Sequence, residues 1–239
     1  MGIYRPLKKV MIPIVSFLIA LSITIWLLPS KMDHQWRQLV TLTKEWEKSN
    51  YQIDSTFMFD KEKATKESGE WSHQQSRYQI AAIVSDDSSF DFQVFFEDES
   101  FFVLSGGQWY QNKVKTRFVE ELTPLDQPFE WVRQLLDEAD KIEVITHGEQ
   151  VKYKVGFNDF NDYDFRGSML KQQENTTLVV SVIDNKIESI TFSVEPIRPE
   201  SVGVLDRYPR HLLYTMEFNQ VQDVDFELPE EAYESELID

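Results

Sequence analysis

The longest apolar stretch runs from Val10 to Pro29 (VMIPIVSFLIALSITIWLLP), twenty residues without a charge. As a helix rising ~1.5 Å per residue it would span about 30 Å, the hydrocarbon thickness of a bilayer. Arg5, Lys8 and Lys9 precede it and the chain turns acidic beyond Lys31, so the positive-inside rule puts residues 1–9 in the cytoplasm and the remainder outside. Trp26 stands near the outer end, where interfacial aromatics belong. A cleaved signal peptide is the competing reading. Its apolar region is usually about 7 to 15 residues and ends on small side chains, whereas this one ends in Ile-Trp-Leu-Leu-Pro-Ser-Lys. The expectation is an uncleaved single-pass anchor over 10–29 and an extracytoplasmic domain over 32–230.

Past the anchor the apolar positions fall into shorter periods. Asp33 is a plausible N-cap, and Trp36, Leu39, Val40, Thr43 and Trp46 recur at helical steps, predicting an amphipathic helix over 33–48. Aromatic and β-branched runs then predict strands at 51–59, 71–84, 90–97, 101–104 and 109–112, with Ser105-Gly106-Gly107-Gln108 as a hairpin turn. Pro128, followed by Phe129, Trp131, Val132, Leu135 and Leu136, marks a second helix over 126–139. Strands resume at 142–146, 151–157, 176–183, 187–194 and 211–219, interrupted by a turn-rich segment over 195–208. This order predicts one α+β domain with a long antiparallel sheet covered by helices. Residues 223–239 hold eight acids and no base, and 231–239 read as a disordered acidic tail.

Charge narrows the partners. The chain has 41 acids against 24 bases, a net −17; residues 1–31 hold four of the bases and no acid, leaving the domain at −21. Nucleic acid is an unsuitable partner for such a surface, because phosphate binding needs clustered Lys and Arg. With no cysteine, disulfides, thiolate zinc sites, thiol nucleophiles and a lipidated N-terminal cysteine are excluded.

Catalytic constellations fail on spacing. His34, His73, His147 and His211 stand in separate elements, and no serine sits in a G-x-S-x-G. The acidic run Asn158–Asp164 (NDFNDYD) is the best calcium candidate, with Gly167 at the sixth loop position counted from Asp162. Arg166 at a ligand position and Gln173 in place of the bidentate Glu spoil that fit. No metal, cofactor or catalytic residue is therefore expected.

What remains is the aromatic density: 29 of the 208 residues after Lys31 are Phe, Tyr or Trp. Successive strands carry rings on both faces, since alternate residues point to opposite sides of a sheet. The element order, the passage FFVLSGGQWYQN, the helix PFEWVRQLLDEA, the pair TTLVVSVIDNKIESITFSVE and the ending DVDFELPEE together resemble the LolA/LppX-like superfamily of lipoprotein and glycolipid carriers. That resemblance implies a half-barrel holding acyl chains, without catalytic residues. Two departures stand out: the lipidated cysteine of the lipoprotein branches is missing, and so is a cleavage site. A tethered domain cannot shuttle, so the implied role shifts to a fixed binding, sensing or assembly module.

On this reading the cavity is lined by Phe57, Phe59, Phe92, Phe102, Trp109, Leu178, Val180 and Phe192, under a lid containing Trp131 and Leu135. The ligand would be a lipid or lipid-linked molecule. The alternative is a cell-envelope interaction module with a filled core, docking a protein partner through a strand edge or its acidic face.

Overall fold

A computed structural model describes residues 31–85, 88–97, 100–112, 122–158, 163–166, 168–170, 172–200 and 208–237. The expected anchor at 10–29 and the segment before it lie outside these residues. Among the described residues no helix is long and apolar enough to cross a membrane. In chain order the elements are α1 (Lys31–Trp46), β1 (Asn50–Phe59), β2 (Glu62–Trp71), β3 (Gln75–Ser85), β4 (Ser88–Glu97), β5 (Ser100–Ser105), β6 (Gln108–Asn112), α2 (Thr123–Asp126), α3 (Pro128–Asp137), β7 (Lys141–His147), β8 (Gln150–Phe157), β9 (Tyr163–Phe165), β10 (Ser168–Leu170), β11 (Gln173–Ile183), β12 (Lys186–Pro196), β13 (Leu212–Val221), α4 (Glu230–Tyr233) and β14 (Glu236–Leu237).

Among the described residues, twelve strands form one sheet in the order β14-β6-β5-β4-β3-β2-β1-β13-β12-β11-β8-β7, while β9 and β10 pair only with each other. Neighbours run antiparallel except β14 beside β6. The sheet is two meanders joined where β1 meets β13, in register from Asn50↔Val221 to Phe59↔Leu212. Their first and last strands therefore close the chain into a single layer.

The strand expected over 71–84 is two elements. Trp71 ends β2, the chain turns through Ser72–Gln74 with Ser72 and Gln75 exchanging backbone and hydroxyl hydrogen bonds, and β3 starts at Gln75. β2 escapes a reading by composition because its sequence, EKATKESGEW, is mostly Lys, Glu and small residues, which are depleted in strands. Its neighbours impose the conformation through two full ladders, to β1 and β3.

One face of the sheet carries the core. β1 buries Tyr51, Ile53, Ser55 and Phe57, and β13 buries Leu212, Tyr214, Met216 and Phe218. Helices α1 and α3 cover this face, α3 burying Phe129, Trp131, Val132, Leu135 and Leu136 behind a proline start. Buried indole and phenol groups need acceptors, and those they find tie the helices down. Trp36 Nε1 donates to the Leu136 carbonyl at 3.1 Å, Trp46 Nε1 to that of Asn185 at 2.7 Å, Trp71 Nε1 to that of Asp126 at 2.7 Å and Tyr78 Oη to that of Leu125 at 2.9 Å.

The opposite face carries a smaller cluster: Phe95, Phe102 and Ala232, with Leu104, Trp109, Phe226 and Leu228 against them. The chain after β13 thus crosses the back of β4–β6. Residues 231–237 lie within the tail expected to be disordered over 231–239, but they belong to α4 and the edge strand β14, which pairs through Glu236↔Tyr110 and Leu237↔Gln111. Glu230, Glu231 and Glu234 are exposed around the buried Ala232, a pattern that charge counting does not resolve.

Candidate functional site

Strand pairing assembles one cross-sheet row on the helix-covered face. Phe57 stands opposite Tyr214, Tyr214 opposite Phe192, Phe192 opposite Leu178, and Leu178 opposite Val155. In the other direction Phe57 faces Thr65, Thr65 faces Ala82, and Ala82 faces Phe90. Trp131 comes down from α3 onto this row, 5.7 Å from Phe192 and 5.8 Å from Tyr214 between ring centroids.

The β9–β10 hairpin covers the same place. Phe165 ↔ Ser168 is its last pair, so Phe165 and Arg166 are at the tip. Phe165 is buried, with its ring 5.1 Å from Phe192, 5.8 Å from Phe57, 5.9 Å from Tyr214 and 6.0 Å from Trp131. Arg166 holds φ of +50°, a conformation that costs an ordinary residue roughly 1–2 kcal/mol. Its side chain explains why it is held there. The guanidinium lies 5.5 Å above Phe57 and 5.2 Å above Tyr214, and its Nη2 meets Glu67 Oε1 at 2.5 Å.

Glu67 projects inward from β2, fully buried in the row next to Phe57. It accepts from four donors: the Ser55 hydroxyl, Thr65 Oγ1, Arg166 Nη2 and, at 3.5 Å, Tyr214 Oη. Burial, followed by the Glu67 charge, pushes the Tyr214 phenol far above its ordinary value, so it is a donor at any physiological pH. The carboxylate is satisfied, but Arg166 Nη1 is buried with no acceptor among the described residues.

Phe59, Ala64, Ile83 and Val84, with Glu62, Lys63 and Ser85, line an open groove of about 370 Å³. Val84 is 74% and Phe90 55% exposed, an apolar rim at the end of β3 and the start of β4.

The expected cavity residues divide into three groups. Phe57, Trp131, Leu135, Leu178, Val180 and Phe192 are buried together in the main core, and Phe59 and Phe92 pack partly against it, Phe59 at the groove. Phe102 and Trp109 are elsewhere, in the back-face cluster under the C-terminal segment. Their misplacement has a simple cause. In β5 the side chain that faces the core is Phe101, and a one-residue difference reverses the face. Phe165, Arg166 and Glu67 were not among the expected residues, because an acidic run hides the hairpin and a lone glutamate in a polar strand gives no signal. Among the described residues no group of three or more His, Cys, Asp or Glu could hold a metal ion, and 159–162 of the calcium candidate lie outside them.

Solved structures offer likenesses at the level of the whole domain. The chain is similar to a LolA superfamily protein from Nitrosomonas europaea, at 8% identity and a TM-score of 0.33, over 79% of this chain and 94% of that one. It is similar also to LprF from Mycobacterium bovis, at 8% identity and a TM-score of 0.47, over 84% of this chain and 99% of that one. A DUF1329 family protein from Desulfovibrio piger aligns at 10% identity and a TM-score of 0.34, over 83% and 96%. No family model and no curated protein sequence matches the chain. What the site does is therefore argued from its own geometry.

Proposed function

We propose that this is a membrane-anchored binding protein of the bacterial cell envelope, non-catalytic, which holds a lipid or lipid-linked molecule against the helix-covered face of its half-barrel sheet. Residues 10–29 are the anchor, residues 1–9 are cytoplasmic, and the domain stands outside the membrane. The observation that carries the binding role is the β9–β10 tip. A ring from a hairpin that, among the described residues, pairs with no strand of the main sheet occupies the middle of the face, and a groove with Phe59, Ala64, Ile83 and Val84 in its wall lies at the ends of β2 and β3. Moving the Phe165–Arg166 tip aside would uncover the row Phe57–Tyr214–Phe192, an apolar face for an acyl chain with the polar cluster of Glu67 at its side.

A second reading has its own support. The face is filled by the protein's own side chains, with Phe192, Tyr214, Leu178 and Val180 fully buried. A filled core would suit an interaction module that docks an envelope protein.

The two separate on one measurement. Residues 32–239, purified without detergent, are examined by native mass spectrometry and organic extraction before and after incubation with host membrane lipids. A discrete lipid adduct is expected. An apo mass that no lipid changes removes the binding role and leaves the interaction module.

A further inference from the structure

Where β2 turns into β3 the covered face holds a second pocket, of about 290 Å³. Its floor follows from strand register. Tyr51 stands opposite Trp71, Trp71 opposite Ser76, Ser76 opposite Phe96 and Phe96 opposite Phe101. This row crosses β1 six residues before Phe57, so at ~3.3 Å per residue it lies about 20 Å along the sheet from the Phe57–Tyr214–Phe192 row. Ser76 is its one small side chain, set between the buried rings of Trp71 and Phe96, and space remains over it. Glu47, just past α1, and Glu130, in the first turn of α3, line the other side.

Two features of this pocket call for a ligand. Ser76 shares its face with Tyr78 and Ile80, is 1% exposed, and its Oγ has no hydrogen-bond partner among the described residues. An unpaired buried hydroxyl costs about as much as a lost hydrogen bond, and native proteins seldom leave one. Charge is the second feature. Arg133 donates Nη1 and Nη2 to Glu47 at 3.0 and 2.9 Å, and Nε and Nη2 to Glu130 Oε2 at 3.0 and 2.6 Å. Two carboxylates thus share one guanidinium, and Glu130 Oε1 takes no part in the pairing. His73 Nδ1, 3.9 Å from Glu47, is beyond hydrogen-bond reach. The missing partner is a donor that carries positive charge.

An organic cation fits better than a metal ion. Among the described residues no three His, Asp or Glu converge to hold a metal. The rings of Trp71 and Phe96 attract a soft cation, whereas a hard metal ion needs oxygen ligands in their place. The rim is polar, with His73, Gln74 and Gln127 exposed, which suits a ligand arriving from water. We propose that this pocket binds the ammonium group of a small soluble primary amine. Ser76 Oγ accepts one N–H, Glu130 Oε1 accepts another, and Trp71 and Phe96 flank the carbon chain. The site is separate from the face assigned to a lipid and does not depend on that reading.

The test measures butylammonium binding to the full chain in a non-ionic detergent, by ligand-observed NMR titration. Butyltrimethylammonium, which keeps the charge without an N–H, and butan-1-ol, which keeps the chain without the charge, are titrated in parallel. The primary amine should bind about tenfold or more tightly than either, the value of one hydrogen bond to a charged donor. Ser76→Ala should close the gap between the two cations while leaving the thermal midpoint unchanged or higher, because it removes a hydroxyl that the empty pocket leaves unpaired. Glu130→Gln should close the gap between the amine and the alcohol. Equal binding of either analogue to the unmodified chain would overturn the proposal. So would an amine affinity unchanged in Ser76→Ala, which would place the amine elsewhere on the acidic surface. Nα-acetyl-lysine methylamide binding more tightly than butylammonium would move the ammonium to a protein side chain and overturn the free-amine assignment. If no amine binds, the proposal falls and the lipid-binding reading is untouched.

Discussion

Arg166 and Glu67, 99 positions apart in the chain, meet at 2.5 Å with side chains 6% and 0% exposed. The pair fastens the tip of a two-stranded hairpin to the middle of a sheet face otherwise lined by rings and branched aliphatics. A buried ion pair is poor evidence for stability in itself, because desolvation offsets the attraction. Its value lies in choosing one seat for the hairpin.

Breaking the pair from one side should therefore be far worse than removing it whole. Glu67→Leu or Arg166→Leu alone leaves an uncompensated charge and should cost about 3–5 kcal/mol in denaturant unfolding, whereas the double Leu variant should recover most of that loss. If the single and double losses simply add, the two side chains do not act as a pair.

Gly69 offers a test of the sheet itself. A Cβ there would lie 2.0 Å from the Arg77 carbonyl oxygen and 2.5 Å from the Tyr78 ring, so β2 and β3 must separate to admit it. Gly69→Ala should lower stability by at least about 1–3 kcal/mol, the usual penalty for overpacking, despite alanine's milder backbone entropy. An unchanged midpoint would show that the close approach of β2 to β3 does not exist in solution.

How much of this was legible in the sequence depended on where the signal lay. Helix α3 announced itself through Pro128 and the spacing of Phe129, Trp131, Val132, Leu135 and Leu136, and it forms where expected. The later strands were visible because both β11 and β12 are rich in Val, Ile and Thr. By contrast, β2 is a strand because of its neighbours, and Glu67 within it acquires meaning only when Arg166 arrives from another part of the chain. The row Phe57–Tyr214–Phe192–Leu178 depends on register between distant strands, which periodicity does not encode. Phe102 and Trp109 show the limit most plainly: their apolar character was readable, but not which face they served.

Alkaline pH should probe the core through its phenols. Burial pushes Tyr51 from 10.0 to about 12, against a smaller opposing effect of its hydrogen bond with Ser49. The folded protein then keeps a proton that the unfolded chain has released, so this group's contribution is intact below pH 10.0 and is lost as pH rises towards about 12. Unfolding free energy should fall across that window by up to ~1.4 kcal/mol per pH unit for this tyrosine. Tyr51→Phe should flatten the slope by that amount. An identical slope in the variant would mean that Tyr51 titrates normally.

The C-terminal segment makes the last prediction. Phe226 meets Phe95 edge to face at 5.8 Å and lies under Arg77 at 5.1 Å, Tyr233 packs edge to face on Phe102 at 5.3 Å, and its hydroxyl donates to Glu97 at 2.7 Å. The segment also places β14 against β6, so it shields both an apolar patch and a sheet edge. Apolar patches and bare edges on a soluble domain favour association. Removing residues 226–239 should therefore cost at least ~2 kcal/mol, roughly the burial of one large apolar side chain, and should produce dye binding and concentration-dependent oligomers. Replacing the acids of the segment by their amides, with Phe226, Leu228 and Tyr233 kept, should leave the domain monomeric. A truncated domain that stays monomeric, binds no dye and unfolds at the same midpoint would show that the segment does not pack on the sheet.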